Sequence, residues 1–264
     1  MSDVRLNRAT SRDGTSIVYD RQGSGPPVIL VGGSLASRSA GVGNNAPLAA
    51  ELAGQFTVYN YDRRGRGESG ASSPHSVERE IDDLDALIAV TGGSPHLYGV
   101  SSGGALALEA AAAGVNAGKV AVYEVPYGLA DPARLRTYRE ELDALLATDR
   151  RSDALELFHR LLGIPEEAVA AARQSPLWSG AVALAHTLAM DAAVLGDGQV
   201  PAARLAKVNN PVLVATGGGS TEVEEAADLI AASVPDAERL TLAGMQHAVD
   251  AKALAPVLGR FFNR

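Results

Sequence analysis

Gly99-Val100-Ser101-Ser102-Gly103 fits the pattern G-x-S-x-G, with a short apolar run before it, His96 to Val100, and an alanine-rich stretch to Ala113 after it. A serine held between a strand and a helix becomes a nucleophile when the turn is sharp enough to strain its backbone and lift its hydroxyl above the sheet edge. Only small neighbours leave room for such a turn, and Gly99, Gly103 and Gly104 supply them. The turn also frees the Ser102 amide at a helix N-terminus, where the helix dipole favours negative charge.

A serine hydroxyl needs a base, and the chain has five histidines. His96 starts the strand that leads to Ser101, at the wrong end of the sheet, and reads as packed or capping. His75 follows a proline ahead of a helix and reads as solvent-facing. His159 and His186 lie in a long helical stretch, where a partly buried polar role and a substrate contact both stand open. His247, in Gly244-Met245-Gln246-His247 just beyond the last strand, belongs at the same carboxyl edge as Ser101. It is the expected general base and acid.

Positioning such a pair takes a sheet, and the chain reads as one. Ser16 to Asp20, the glycine-rich Gln22 to Gly25 and the apolar run Pro27 to Val31 predict a hairpin feeding a buried strand. Strands at Phe56 to Tyr61, His96 to Val100 and Lys119 to Glu124 alternate with helices at Ala46 to Gly54, Ser76 to Thr91 and beyond Ser101. The helix at Ser76 spaces Val77, Ile81, Leu84, Leu87 and Ile88 along one face and is expected to turn its acids to the other. This rhythm implies right-handed crossovers and a mostly parallel α/β sheet. Residues 127–208 then offer only helical segments: Ala133 to Thr148, Ser152 to Leu162, Glu166 to Arg173 and Val182 to Leu195. Strand and helix resume at Pro211 to Thr216, Glu222 to Val234, Glu238 to Leu242 and Ala251 to Phe262. The expected organisation is a core of residues 1–126 and 209–264 carrying a helical cap, 127–208.

The 264 residues bury enough surface for a sizeable core. With no cysteine, a disulfide scaffold, a thiolate zinc site, an iron–sulfur cluster and a cysteine nucleophile are all excluded. The net charge of −8, from 23 Lys and Arg against 31 Asp and Glu, argues against nucleic acid and anionic membranes as partners. The one basic cluster, Arg63, Arg64 and Arg66, is too short to alter that. No secretory signal or run of about 18 apolar residues is evident, so the expectation is a cytoplasmic protein, monomer or homodimer, acting on a small molecule.

With the elbow, the histidine loop and Asp62-Arg63-Arg64-Gly65-Arg66-Gly67-Glu68-Ser69 in place, the chain resembles the α/β-hydrolase family along nearly its whole length. The last segment is similar to the family's D-x-R-G-x-G-x-S loop after the fourth strand. The resemblance implies an oxyanion-hole loop after the third strand, here Val31-Gly32-Gly33-Ser34, with Gly32 in place of the usual histidine. The implied donors are the amides of Ser34 and Ser102. The family's usual acid follows the strand at Pro211 to Thr216, but here the chain reads Gly217-Gly218-Gly219. Some relatives carry the acid at the end of the strand after the nucleophile's helix, where this chain has Glu124; Glu222 is the alternative, as is a site with no acid. Serine in place of the aspartate of dehalogenases and epoxide hydrolases implies acyl transfer with neither metal nor organic cofactor, on a small, largely apolar ester, thioester or lactone. Leu177, Trp178, Leu188 and Met190 are candidates for the pocket wall, or else pack the cap helices together. A carbon–carbon bond hydrolase of the same fold and a non-catalytic binding protein are the competing readings.

Overall fold

Short β-branched runs become strands and the longer periodic stretches become helices. The computed structural model describes residues 5–41 and 44–264. Its strands are β1 (Arg5–Thr10), β2 (Ser16–Gln22), β3 (Pro27–Val31), β4 (Thr57–Tyr61), β5 (His96–Val100), β6 (Val120–Tyr123), β7 (Val212–Thr216) and β8 (Ala237–Thr241). They form one sheet in the order β1-β2-β4-β3-β5-β6-β7-β8. Only the β1–β2 and β2–β4 pairings are antiparallel; every other pairing is parallel. The sheet is mostly parallel and flanked by helices, as the sequence reading expects.

One expectation at the N-terminal end is corrected, and one strand is added that the sequence reading did not assign. The polar stretch before Gly14 supplies that edge strand, β1, paired from Arg5↔Arg21 to Thr10↔Ser16. The hairpin of β2 with β3 does not form, because β4 inserts between them, pairing Tyr19 with Tyr61 on one side and Val28 with Val58 on the other. The glycines that suggested a tight turn serve a different constraint: Gly23, at φ 77°, passes so close to the Ala53 and Phe56 backbone that a side chain there has no space.

The helices on one face are α1 (Ala46–Leu52) and α11 (Ala251–Phe262), which share a buried cluster with Val28, Leu30, Tyr98, Val100 and Tyr123. On the other face α2 (Val77–Thr91), α3 (Ser102–Ala113) and α10 (Thr221–Ser233) cover a second cluster built on Ile29, Val31, Leu97, Val122 and Val214. Burial of strand residues on both faces explains why β3 to β7 read as continuous apolar runs. The face of α2 differs from expectation. Its apolar stripe packs inward, but Glu80 and Asp83 are buried with it, each gripped by an arginine from the loop after β4.

Between β6 and β7 the chain makes only helices: α4 (Pro132–Ala147), α5 (Arg151–Leu161), α6 (Glu166–Arg173), α7 (Trp178–Leu184), α8 (Leu188–Val194) and the short α9 (Ala202–Leu205). The single helix expected over Val182 to Leu195 is two helices joined by a 3-10 turn, Ala185–Thr187. These helices have their own cluster, in which Leu142, Ala154, Leu155, Ala185 and Leu188 are inaccessible to solvent. Among the described residues no single helix is long and apolar enough to cross a membrane.

Candidate active site

The register of the parallel strands brings three strand ends side by side. Val100 pairs with Tyr123 and Tyr123 with Ala215, so Ser101, Glu124 and the stretch leading to Gly217 emerge at one carboxyl edge. The ladder continues one step further: the Ser101 amide donates to the Tyr123 carbonyl at 2.9 Å and the Glu124 amide to the Ala215 carbonyl at 3.0 Å. Carboxyl edges of such sheets are where ligands bind.

Ser101 has φ 55° and ψ −129°, a strained combination that persists only where the surroundings impose it. Those surroundings are backbone: a Cβ on Gly99 runs into Gly103, and one on Gly103 runs into the Val31 and Gly32 carbonyls. Gly33 lies against Ser101, since a Cβ there meets the Ser101 Cβ at 3.1 Å. The loop after β3 and the elbow are therefore in van der Waals contact, with Ser34 Oγ donating to Ser102 Oγ at 3.2 Å.

Glu124 also has a positive φ, 48°, and is largely buried. Its Oε1 accepts the Gly217 amide at 3.0 Å and its Oε2 lies 2.9 Å from His247 Nδ1. Gly217 thus stands where the family's usual acid was expected, and its backbone holds the acid supplied by the neighbouring strand. The histidine loop is pinned independently, because the Tyr123 hydroxyl donates to the Gln246 carbonyl at 2.8 Å. Burial, reinforced by the Glu124 charge, raises that phenol above its ordinary range and keeps it a donor. Glu222 accepts the Ser220 hydroxyl at 2.7 Å, and it is Glu124 that pairs with His247. His247 is about half exposed, and its Nε2 has no protein partner among the described residues. Among the described residues Ser101 Oγ and His247 Nε2 are not hydrogen-bonded to each other; in such sites this bond often tightens in the complex with substrate.

Beside the elbow is a buried ionic group that sequence reading missed. Arg63 binds Glu80 through Nε and Nη2 at 2.7 and 2.8 Å, and its Nη1 reaches Asp191 Oδ1 at 2.8 Å. Arg66 Nη2 reaches the same oxygen at 2.7 Å, and Ser102 Oγ donates to it at 2.8 Å. Burial alone would raise the Glu80 and Asp191 carboxyls, but the two arginines outweigh it and hold both below the ordinary range. Asp62 anchors the other side of the loop, accepting the Arg38 amide at 2.7 Å and its guanidinium at 2.8 Å. The signal for Asp191 was a lone acid in the apolar run Leu188-Ala189-Met190-Asp191-Ala192-Ala193-Val194.

The remaining histidines are spread out. His96 stacks on Phe262 at 4.7 Å and accepts the Lys119 amide. His75 is not solvent-facing: it is half-buried 3.5 Å from Glu80, and desolvation lowers its pKa. His159 stacks on Trp178, and His186 Nε2 lies 2.9 Å from the Gly65 carbonyl. Of the expected pocket wall, Leu188 is fully buried among the inserted helices, Leu177 is exposed, and Met190 packs toward Gly65. A cavity of about 200 Å³ opens beside His247, lined by Asn45, Leu48, Tyr98, Val100 and Leu254 among others but not by Ser101. Among the described residues no group of three or more His, Asp or Glu side chains converges as a metal site.

Residues 28–257 match the model of the alpha/beta hydrolase family. The fold superposes on an alpha/beta hydrolase from Sphaerobacter thermophilus with a TM-score of 0.89 and 46% identity, covering 97% of this chain and 100% of that one. A hydrolase from Pseudomonas aeruginosa is similar at a TM-score of 0.74 and 23% identity, over 98% and 99% of the two chains. The uncharacterized hydrolase YraK of Bacillus subtilis is 35% identical over 113 residues, and the match spans 40% of each chain. With the sheet order, the strained elbow and a match over most of its length, the chain belongs to the alpha/beta hydrolase family.

Proposed function

We propose that the chain is a serine hydrolase that transfers the acyl group of a small, largely apolar carboxylic ester, thioester or lactone first to Ser101 and then to water. The carrying observation is the 2.9 Å contact between Glu124 Oε2 and His247 Nδ1 at the edge where Ser101 emerges. A carboxylate there keeps the ring proton on Nδ1 and leaves Nε2 as an acceptor. His247 then takes the Ser101 proton as Oγ attacks the carbonyl carbon, and the Ser34 and Ser102 amides hold the resulting oxyanion. His247 returns the proton to the leaving oxygen or sulfur, which departs and leaves the acyl-enzyme. Water, deprotonated by His247, attacks the acyl carbon; collapse expels Ser101, which recovers its proton, and releases the acid. Each oxyanion donor is typically worth about 10²–10³ in rate.

Leu48, Val100 and Leu254 line a cavity beside His247, which Ser101 itself does not line, and they support an apolar group near the base. The test is turnover of p-nitrophenyl esters of increasing acyl length. Short acyl chains are expected to turn over, and the Ser101→Ala variant to be inactive on all of them. Turnover that survives Ser101→Ala overturns the proposal.

A further inference from the structure

The donors of an oxyanion hole act only if they are aimed before the charge develops, and here the aim is set from the inserted helices. The Gly33 carbonyl accepts a hydrogen bond from Arg66 Nη1. That carbonyl belongs to the same trans peptide unit as the Ser34 amide, and in a planar trans peptide the C=O and N–H point in opposite directions. Clamping the Gly33 oxygen therefore fixes where the Ser34 N–H points. Arg63 Nη1 holds the Gly32 carbonyl in the same way at 3.3 Å, so two successive peptides of the loop are held by guanidinium groups.

Both guanidinium groups, fully buried, are in turn held by one oxygen, Asp191 Oδ1, on α8. The same oxygen accepts the hydroxyl of Ser102, whose backbone supplies the second donor. One carboxylate oxygen thus touches both guanidinium groups that hold the loop and the Ser102 hydroxyl beside the elbow. It also balances charge, since among the described residues Glu80 and Asp191 are the carboxylates within ion-pair distance of Arg63 and Arg66.

We propose that Asp191 is a positioning residue for the oxyanion hole: from α8 it locks Arg63, Arg66 and Ser102 so that the Ser34 and Ser102 amides are aimed before substrate arrives. This rests on the acyl-transfer reading of the site. Asp191→Asn keeps the shape but removes the charge, leaving one buried guanidinium uncompensated and the Gly33–Ser34 peptide free to rotate.

The experiment compares wild type, Asp191→Asn and Ser102→Ala in kcat and KM on a p-nitrophenyl ester and in Ki for an alkyl boronic acid, whose serine adduct places an oxygen in the oxyanion hole. Circular dichroism and thermal melting establish which variants fold. Asp191→Asn is expected to lose about 10- to 100-fold in kcat, a large part of one donor's worth, with KM within about threefold and the boronate Ki raised by a similar factor as kcat falls. Ser102→Ala keeps both ion pairs and is expected to fold, losing about three- to tenfold in kcat with the same signature. A folded Asp191→Asn variant with wild-type kcat, or one whose kcat falls while the boronate Ki does not change, overturns the proposal. So does full activity of Ser102→Ala where Asp191→Asn fails to fold. Failure of wild type itself to turn over esters or bind the boronate overturns the acyl-transfer reading instead.

Discussion

The carboxylate that faces His247 makes the strongest test of the site. Glu124→Gln changes one oxygen to an NH₂ without changing shape. The wild-type carboxylate accepts two N–H groups, from Gly217 at 3.0 Å and from His247 Nδ1 at 2.9 Å. A carboxamide has one acceptor oxygen and one donor nitrogen. If the oxygen stays on the Gly217 amide, the NH₂ faces Nδ1 and makes it an acceptor. The ring proton then moves to Nε2, and the imidazole can no longer take the Ser101 proton. The opposite orientation points NH₂ at a buried N–H, which costs about 1–3 kcal/mol. Losing a charge-assisted bond to the ring costs about 1.5–3 kcal/mol, or roughly 10- to 150-fold in rate. The tautomer change adds to that, although the half-exposed ring lets water replace part of the loss. The expected result is a 10²- to 10³-fold fall in kcat on a short p-nitrophenyl ester, with KM within about threefold, in a variant that circular dichroism shows to be folded. A folded Glu124→Gln variant that keeps kcat within threefold of wild type refutes the reasoning.

Two further predictions concern stability. Leu142 is fully buried in the cluster of the inserted helices, so Leu142→Ala is expected to cost about 2–5 kcal/mol, lowering the thermal midpoint by about 4–20 °C. A shift under about 2 °C would mean that this cluster is loosely packed. The second follows from Glu80 and Asp191, whose pKa values are lowered because Arg66 and Arg63 outweigh the cost of burial. A carboxyl with a lowered folded-state pKa contributes stability that is present above its unfolded value, about 4, and is lost as pH falls through the folded value. Asp83 opposes this weakly, since burial raises its pKa despite Arg64. Urea midpoints are thus expected to decline below about pH 4, and less steeply in Asp191→Asn; equal slopes in the two proteins contradict the account.

The parts of the fold governed by local pattern were legible in the chain. The elbow was readable because G-x-S-x-G sat between an apolar run and a small-residue helix, and α2 because its apolar spacing had a Ser76 cap. The β2–β3 hairpin misled because adjacency in sequence says nothing about a strand that arrives 30 residues later and inserts between the two. Glu80 and Asp83 read as a solvent face because acids on a helix are normally solvated; only guanidinium groups from another loop make their burial affordable. Arg63, Arg64 and Arg66 carried the same ambiguity, appearing as a cluster too small for a polyanion when their partners are internal. Asp191 offered no more than its place as a lone acid in an apolar run, for a related reason. Its three donors come from two segments, the loop after β4 and the start of α3, each about 90 residues or more distant. Glu124 came from the family resemblance, which allows an acid at the end of the strand after the Ser101 helix, whereas its contact with His247 depends on the path of the loop beyond β8.

The central claim is that Ser101 is a nucleophile activated by His247. Treatment with an alkyl fluorophosphonate and location of the adduct by peptide mass spectrometry tests it most directly. The account predicts a single adduct on Ser101, and a labelling rate reduced by at least about a hundredfold in His247→Ala. No adduct on Ser101, or equal labelling of wild type and His247→Ala, would contradict it.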